Sequence, residues 1–359
     1  MSSHTQHTPE PGRLLVTACD TGSANAMAPM LVRLSRPYVV FAQAPAARVF
    51  DRWRIPYVPV PQFQWNELSE RGMRILDEQQ PRAVLAGTSW GPTVDKALTL
   101  AAREQGIPCA AVVEHWDLYR ERFSRVADGK ITDLDKFLPD RIWVNDEIAC
   151  AEATAAGLHG NVIDVVGQPH LEHQIGMLLA QGICKRNNTI VYISERVGED
   201  FPNGSPLYRG FDEFKVLEAL MSAANFSRTR ILIKLHPQEP FDKYTNIIGS
   251  EFGGKVEVLK DANNAELIMT AGRIVGMYSM LLLEAALVRE DVISFMPGGN
   301  SSMFIGNRLG ATLPAQTTNE LKLLLGDLQD APALSITRFG SRFLGSSDRM
   351  IEAVERMMV

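Results

Sequence analysis

Short, continuously apolar runs that alternate with helix-patterned stretches constrain this chain more than any other feature. "RLLVTA" (13–18), "YVVFAQ" (38–43), "IPYVPV" (55–60), "RAVLAG" (82–87), "CAAVVE" (109–114), "RIWVN" (141–145) and "VIDVVG" (162–167) read as strands. Between them lie an Ala/Met/Leu-rich stretch to about Leu34, a helix from Glu67 to Gln79, and "TVDKALTLAAREQG" (93–106), which stops at Gly106. Strands apolar on both faces, separated by helices, predict a parallel sheet covered on both sides.

The pattern restarts at "TIVYIS" (189–194). A helix from about Phe211 to Ala224 follows, then strands at "RILIKL" (230–235), "KVEVL" (255–259), "RIVGM" (273–277) and "DVISFM" (291–296). A chain of 359 residues exceeds what one core usually serves, which agrees with two domains. The expected architecture is α/β, with two Rossmann-like doubly wound domains facing a central cleft. Residues 1–12 read as a flexible polar tail, 13–167 as the first domain, 168–188 as a hinge and 189–345 as the second. Residues 346–359 form a helix able to pack back across the hinge.

A net charge of -6 argues against a nucleic-acid surface. Cys19, Cys109, Cys150 and Cys184 show no metal-ligand spacing and read as reduced thiols of a cytoplasmic protein. The N-terminus lacks the pattern of a signal peptide, and no apolar run reaches the ~20 residues that span a bilayer. Contact with a membrane face stays open. "DLD" (133–135) reads as a solvated loop and "HLEH" (170–173) as part of the hinge, so no metal is expected.

Ligands of doubly wound sheets bind beyond the carboxyl ends of strands. In the second half those ends carry Ser194, Glu195 and Arg196, then His236 in "IKLHPQE", then Ser279 in "GMYSMLLLEAAL", with Glu284 one turn on. Ser279 stands where a helix N-cap belongs, and His236 can donate to the same phosphate. Glu284 is an acid in an apolar helix, suited to ribose hydroxyls. "PGGNSS" (297–302) is a loop whose N–H groups can cradle an anion.

The first half offers Asp20 after the first strand, Ser89 after "RAVLAG", and Glu114, His115, Trp116 and Tyr119 in "VVEHWDLYRERF". Asp20, Glu114 and His115 are candidates for a general base, with Glu114 or His115 favoured. Trp116, Tyr119 and Ser89 are candidates for holding an acceptor sugar.

The His-Pro at a strand end, followed by a serine-led helix with "LLEAAL", resembles the donor-binding domain of the GT-B glycosyltransferase superfamily. The pattern is closest to bacterial sialyltransferases, Kdo transferases and CDP-glycerol glycerophosphotransferases. The resemblance implies phosphate contacts from His236 and Ser279, and a ribose contact from Glu284. It implies a metal-independent enzyme with no cofactor. Its donor would be a nucleotide-linked sugar, CMP- or CDP-linked rather than UDP-linked, and its acceptor a saccharide or glycoconjugate of surface polysaccharide biosynthesis. The motifs cover about residues 231–290. The chain departs from the sialyltransferases in having a single serine at 279, and only Glu284 of the paired glutamates of retaining transferases is evident. Two alternatives share the fold: an isomerase resembling UDP-GlcNAc 2-epimerases, and a non-catalytic nucleotide-sugar-binding protein.

Overall fold

Most of the apolar runs form strands whose side chains are withdrawn from water, while β-strand residues Val58–Pro59 and Val256–Leu259 stay partly exposed at the sheet edges. A computed structural model describes residues 12–359 except 128–129, 134, 183, 327 and 329–332. The polar tail of residues 1–11, Leu134 of the "DLD" run and Ile183 of the expected hinge therefore lie outside the described residues.

The strands are β1 (Leu14–Ala18), β2 (Tyr38–Ala42), β3 (Val58–Pro59), β4 (Ala83–Ala86), β5 (Cys109–Val113), β6 (Arg125–Ala127), β7 (Lys130–Thr132), β8 (Arg141–Val144), β9 (Ile163–Val165), β10 (Thr189–Ile193), β11 (Arg230–Lys234), β12 (Val256–Leu259), β13 (Arg273–Gly276), β14 (Val292–Phe295) and β15 (Leu313–Ala315). Two compact units contain them. One comprises residues 1–173 with 343–359, and the other residues 174–342.

The first unit holds a parallel sheet in the order β3-β2-β1-β4-β5-β8-β9, plus an antiparallel pair, β6 with β7. Helices pack on both faces. On one, helix Thr21–Leu31 joins helix Ala44–Trp53 and the terminal helix Ser346–Met357, whose Met350, Ala353 and Val354 enter the same core as Val16, Val40 and Phe50. The other face packs Ile75, Leu76, Val94 and Leu98 against Leu15, Val84 and Cys109. Helix Val94–Gln105 ends at Gly106, whose φ of +67° is the left-handed conformation that suits glycine at a helix stop.

The second unit holds a parallel sheet in the order β12-β11-β10-β13-β14-β15. β15 has no counterpart in the sequence reading, because the three residues Leu-Pro-Ala carry too little pattern. The β6–β7 pair, two strands of three residues each, likewise carries too little pattern. Each order reverses direction once, between β1 and β4 in the first unit and between β10 and β13 in the second. These are topological switch points, where adjacent connections leave to opposite sides and a crevice opens at the strand ends.

Candidate functional site

In the first unit the switch point is filled by charge. Asp20 follows β1 and caps helix Thr21–Leu31, accepting the Ser23 N–H at 2.9 Å and the Ser23 hydroxyl at 2.9 Å. Glu114 follows β5. Arg122 Nη1 donates to its Oε1 at 3.1 Å, and the Thr88 hydroxyl contacts its Oε2 at 3.2 Å. A β-carbon placed on Gly22 would stand 3.1 Å from Glu114 Oε1, so the carboxylate lies against the start of that helix. Burial pushes the Glu114 carboxyl up, the Arg122 charge opposes this, and Asp20 adds to the rise.

Arg122 is buried, and it organises two loops. Its Nη1 donates to the Thr88 carbonyl at 3.2 Å, and its Nε and Nη2 donate to the Asp117 carbonyl and carboxylate, each at 3.2 Å. Asp117 in turn stands 3.2 Å from His115 Nδ1. The turn that Arg122 grips includes Leu118 with a left-handed φ of +53°, a strained conformation for leucine.

Beneath this lies a second buried pair. Asp95 accepts the Thr17 hydroxyl at 2.7 Å and the Ser89 hydroxyl at 2.6 Å. Burial raises its carboxyl to about 6. Lys96 donates to the Ser89 carbonyl at 2.6 Å and the Arg122 carbonyl at 2.7 Å, and burial lowers its ammonium to about 8. Gly87 must remain a glycine, since a β-carbon there would meet the Ser23 side chain at 2.7 Å.

Asp20, Glu114 and His115 are thus gathered at one sheet end. The three residues expected to hold a sugar are placed differently. Trp116 is only 1% exposed, donates its indole N–H to Asp146 at 3.0 Å and packs edge-on to Phe343. Tyr119 is 5% exposed and donates to Glu152 at 3.0 Å. Ser89 is buried with its hydroxyl on Asp95. These correct the sequence reading: alternation beyond a strand end does not reveal which aromatic turns inward, and these two are core residues. The exposed apolar side chains of the two loops are Trp90 and Leu118.

In the second unit, β10 lies between β11 and β13, so the loops that carry His236 and Ser279 leave the sheet two strands apart. His236 is exposed. Its Nδ1 accepts the Gln238 N–H at 3.3 Å, so Nε2 is the ring nitrogen left to donate to a ligand. Its own N–H donates to Glu239 at 2.7 Å. Ser279 caps helix Met280–Ala286, accepting the Leu281 N–H at 3.2 Å. Glu284 is half-buried on that helix.

Across the switch point, Glu195 Oε1 accepts the N–H groups of Met277 and Tyr278, each at 3.0 Å. Burial pushes this carboxyl up to about 7 against the pull of those bonds, and Glu239 adds to the rise. Ser194 corrects its reading as a phosphate contact: it is 2% exposed and donates to Glu239 at 2.9 Å. The Arg196 guanidinium is partly exposed and is held by Glu199 at 2.8 Å and by Gln238. Glu239, fully buried, also receives Lys243 at 2.6 Å, and Lys243 bridges onward to buried Glu213. This buried network holds the ends of β10 and β11 in register. Arg122, Lys96, Glu239 and Lys243 escaped the sequence reading. The glutamate three residues beyond His236 was the one available signal.

Asp135 of the "DLD" run pairs with Arg120, and the His173 ring of "HLEH" packs tilted against Trp53 with ring centroids 4.5 Å apart. Among the described residues no group of three or more His, Cys, Asp or Glu is arranged to hold a metal, and no helix is long and apolar enough to cross a membrane.

No protein-family model matches the chain, and no curated protein matches it in sequence. Solved structures do match in fold. UDP-GlcNAc 2-epimerase from Methanocaldococcus jannaschii is 13% identical over 96% of this chain and 99% of its own, with a TM-score of 0.66. The Neisseria meningitidis UDP-GlcNAc 2-epimerase bound to UDP-GlcNAc is 13% identical over 96% and 99%, with a TM-score of 0.62. The glycotransferase of kitacinnamycin is 15% identical over 97% and 99%, with a TM-score of 0.58. At such identities the likeness is one of fold: the two parallel-sheet α/β units have the GT-B-like fold that these structures share.

Proposed function

We propose that the protein acts on a nucleotide-linked sugar. In this reading the second unit binds the nucleotide, with His236 and Ser279 on phosphate and Glu284 on ribose. The observation that carries it is the exposed His236, its Nδ1 engaged by the Gln238 N–H, on the same sheet end as the Ser279-capped helix, two strands away. No cofactor is called for, since an imidazole and backbone donors suffice to stabilise a departing phosphate.

The reaction we favour is glycosyl transfer, moving a sugar or polyol phosphate to an acceptor hydroxyl in glycoconjugate assembly. Glu114 is the base in this reading, with His115 and Asp20 beside it. Burial has raised the affinity of Glu114 for a proton, as proton abstraction requires. The two epimerases described above, with their TM-scores of 0.66 and 0.62, support a second reading as a nucleotide-sugar isomerase. Incubation with UDP-GlcNAc alone, followed by NMR of the product, separates the two. Inversion at the sugar's second carbon without acceptor supports the isomerase and overturns transfer. Sugar release only when a saccharide acceptor is added supports transfer. Tight nucleotide binding with no turnover across a donor panel leaves a binding protein.

A further inference from the structure

The first unit carries a cavity at the end of its sheet opposite Glu114. It measures about 470 Å³, within the range of small-molecule sites, and opens where β5 and β8 begin and the terminal helix Ser346–Met357 ends. Pro108, Ala353 and Met357 give it an apolar wall. The helix that supplies two of these is anchored at its end by Arg82, whose guanidinium donates to the Met358 and Val359 carbonyls.

The rest of the lining is polar. Arg141 and Trp143 stand two apart on β8, so they share the sheet face that the terminal helix covers. Trp143 is 1% exposed, and its indole N–H meets no acceptor among the described residues. A buried indole N–H ordinarily has one. This one is not sealed from solvent, and the cavity is where an acceptor can reach it. Arg141 is already neutralised: its Nε donates to Asp164 at 2.7 Å and its Nη1 to the Asn161 carbonyl at 2.9 Å. Two charges are left over. Asp140 spends one oxygen on the Cys109 N–H at 2.9 Å, and its other oxygen has no partner among the described residues. Arg356, in the last turn of the terminal helix, forms no ion pair among the described residues. A carboxylate and a guanidinium that line one cavity without pairing, beside an apolar wall, complement a small zwitterion with an apolar body. A phosphate suits the place poorly, since it would bring its charge against Asp140 and Asp164.

We propose that this cavity binds an apolar α-amino acid, with the carboxylate on Arg356 and the Trp143 N–H, the ammonium on Asp140 and the side chain against Pro108 and Met357. The site is separate from the strand ends that carry Glu114 and does not rest on the nucleotide reading. Calorimetric titration of the full chain with L-leucine, L-methionine and L-phenylalanine tests it. Each is run beside the amine that lacks its carboxylate and the acid that lacks its ammonium. Wild type is compared with Arg356→Ala and Asp140→Asn, both at exposed positions and both first checked for an unchanged thermal midpoint; asparagine keeps an oxygen for the Cys109 N–H. At least one amino acid should bind about 10-fold or more tighter than its amine and its acid. Arg356→Ala should weaken that amino acid about 10-fold and leave the amine unchanged, while Asp140→Asn should weaken it similarly and leave the acid unchanged. Neither partial unfolding nor non-specific apolar binding produces that crossed pattern. Absence of binding by all three amino acids overturns the proposal. So does an amine or acid that binds as tightly as its amino acid, or undiminished amino-acid affinity in either variant.

Discussion

Glu114 shows how burial and a partner set one carboxyl's character. Arg122 compensates its charge, yet desolvation dominates and its proton affinity rises. Glu114→Gln keeps the shape and removes the proposed base, so under that proposal turnover should fall about 100-fold or more at unchanged nucleotide affinity, measured by single-turnover kinetics and calorimetry. Asp95 carries a stability signature. Its folded-state proton affinity, raised from 3.8 to about 6, exceeds that of the unfolded chain. Between those values the unfolded chain loses its proton first, so stability should fall as pH rises from about 4 to about 6 and then level. The full step is about 3 kcal/mol. Urea unfolding of wild type against Asp95→Asn at pH 4, 6 and 8 reads it: the variant's curve should lack the step. Trp116→Phe should cost about 1–2 kcal/mol through the lost Asp146 bond, by the same method, with no change in ligand affinity. Strand-end position made Asp20, Glu114 and His115 legible as neighbours. It said nothing of which way Trp116 and Tyr119 turn, because that is decided by Asp146, Phe343 and Glu152, distant in sequence.

At the scale of elements, the turn after β13 depends on the end of β10. Glu195 saturates the Met277 and Tyr278 donors, so the turn that presents Ser279 is fixed by a side chain from the neighbouring strand. Glu195→Ala should speed amide hydrogen exchange at Met277 and Tyr278. Glu195→Gln, which keeps an oxygen acceptor, should leave it slow; mass spectrometry of the unliganded protein decides. Periodicity announced most of the larger strands of both sheets and many of the longer helices, since a run such as "RILIKL" has one way to hide its side chains. β15 and the β6–β7 pair had no such signature: each strand spans three residues and is set by pairing with a neighbour. The clamp of Arg122 on two loops was equally silent, because an arginine in "YRERF" reads as surface until its partners are known.

For the whole molecule, the chain passes out of the first unit after His173 and back in at Phe343. The returning helix Ser346–Met357 is part of that unit's core. Ser346 accepts the Gln168 N–H at 3.0 Å, and Glu172 accepts the Ser347 N–H at 2.8 Å. Deleting residues 346–359 should destabilise the first unit by at least several kcal/mol, because four core side chains, Met350, Ala353, Val354 and Met358, leave cavities at once. Limited proteolysis should then cut within residues 12–173 while residues 190–325 resist.

That return has a bearing on synthesis. A ribosome builds the chain from its N-terminus, so residues 174–342 emerge whole and can close their own core while the first unit still waits for its final helix. A message cut short near its end would yield one finished half and one that stays open to proteases.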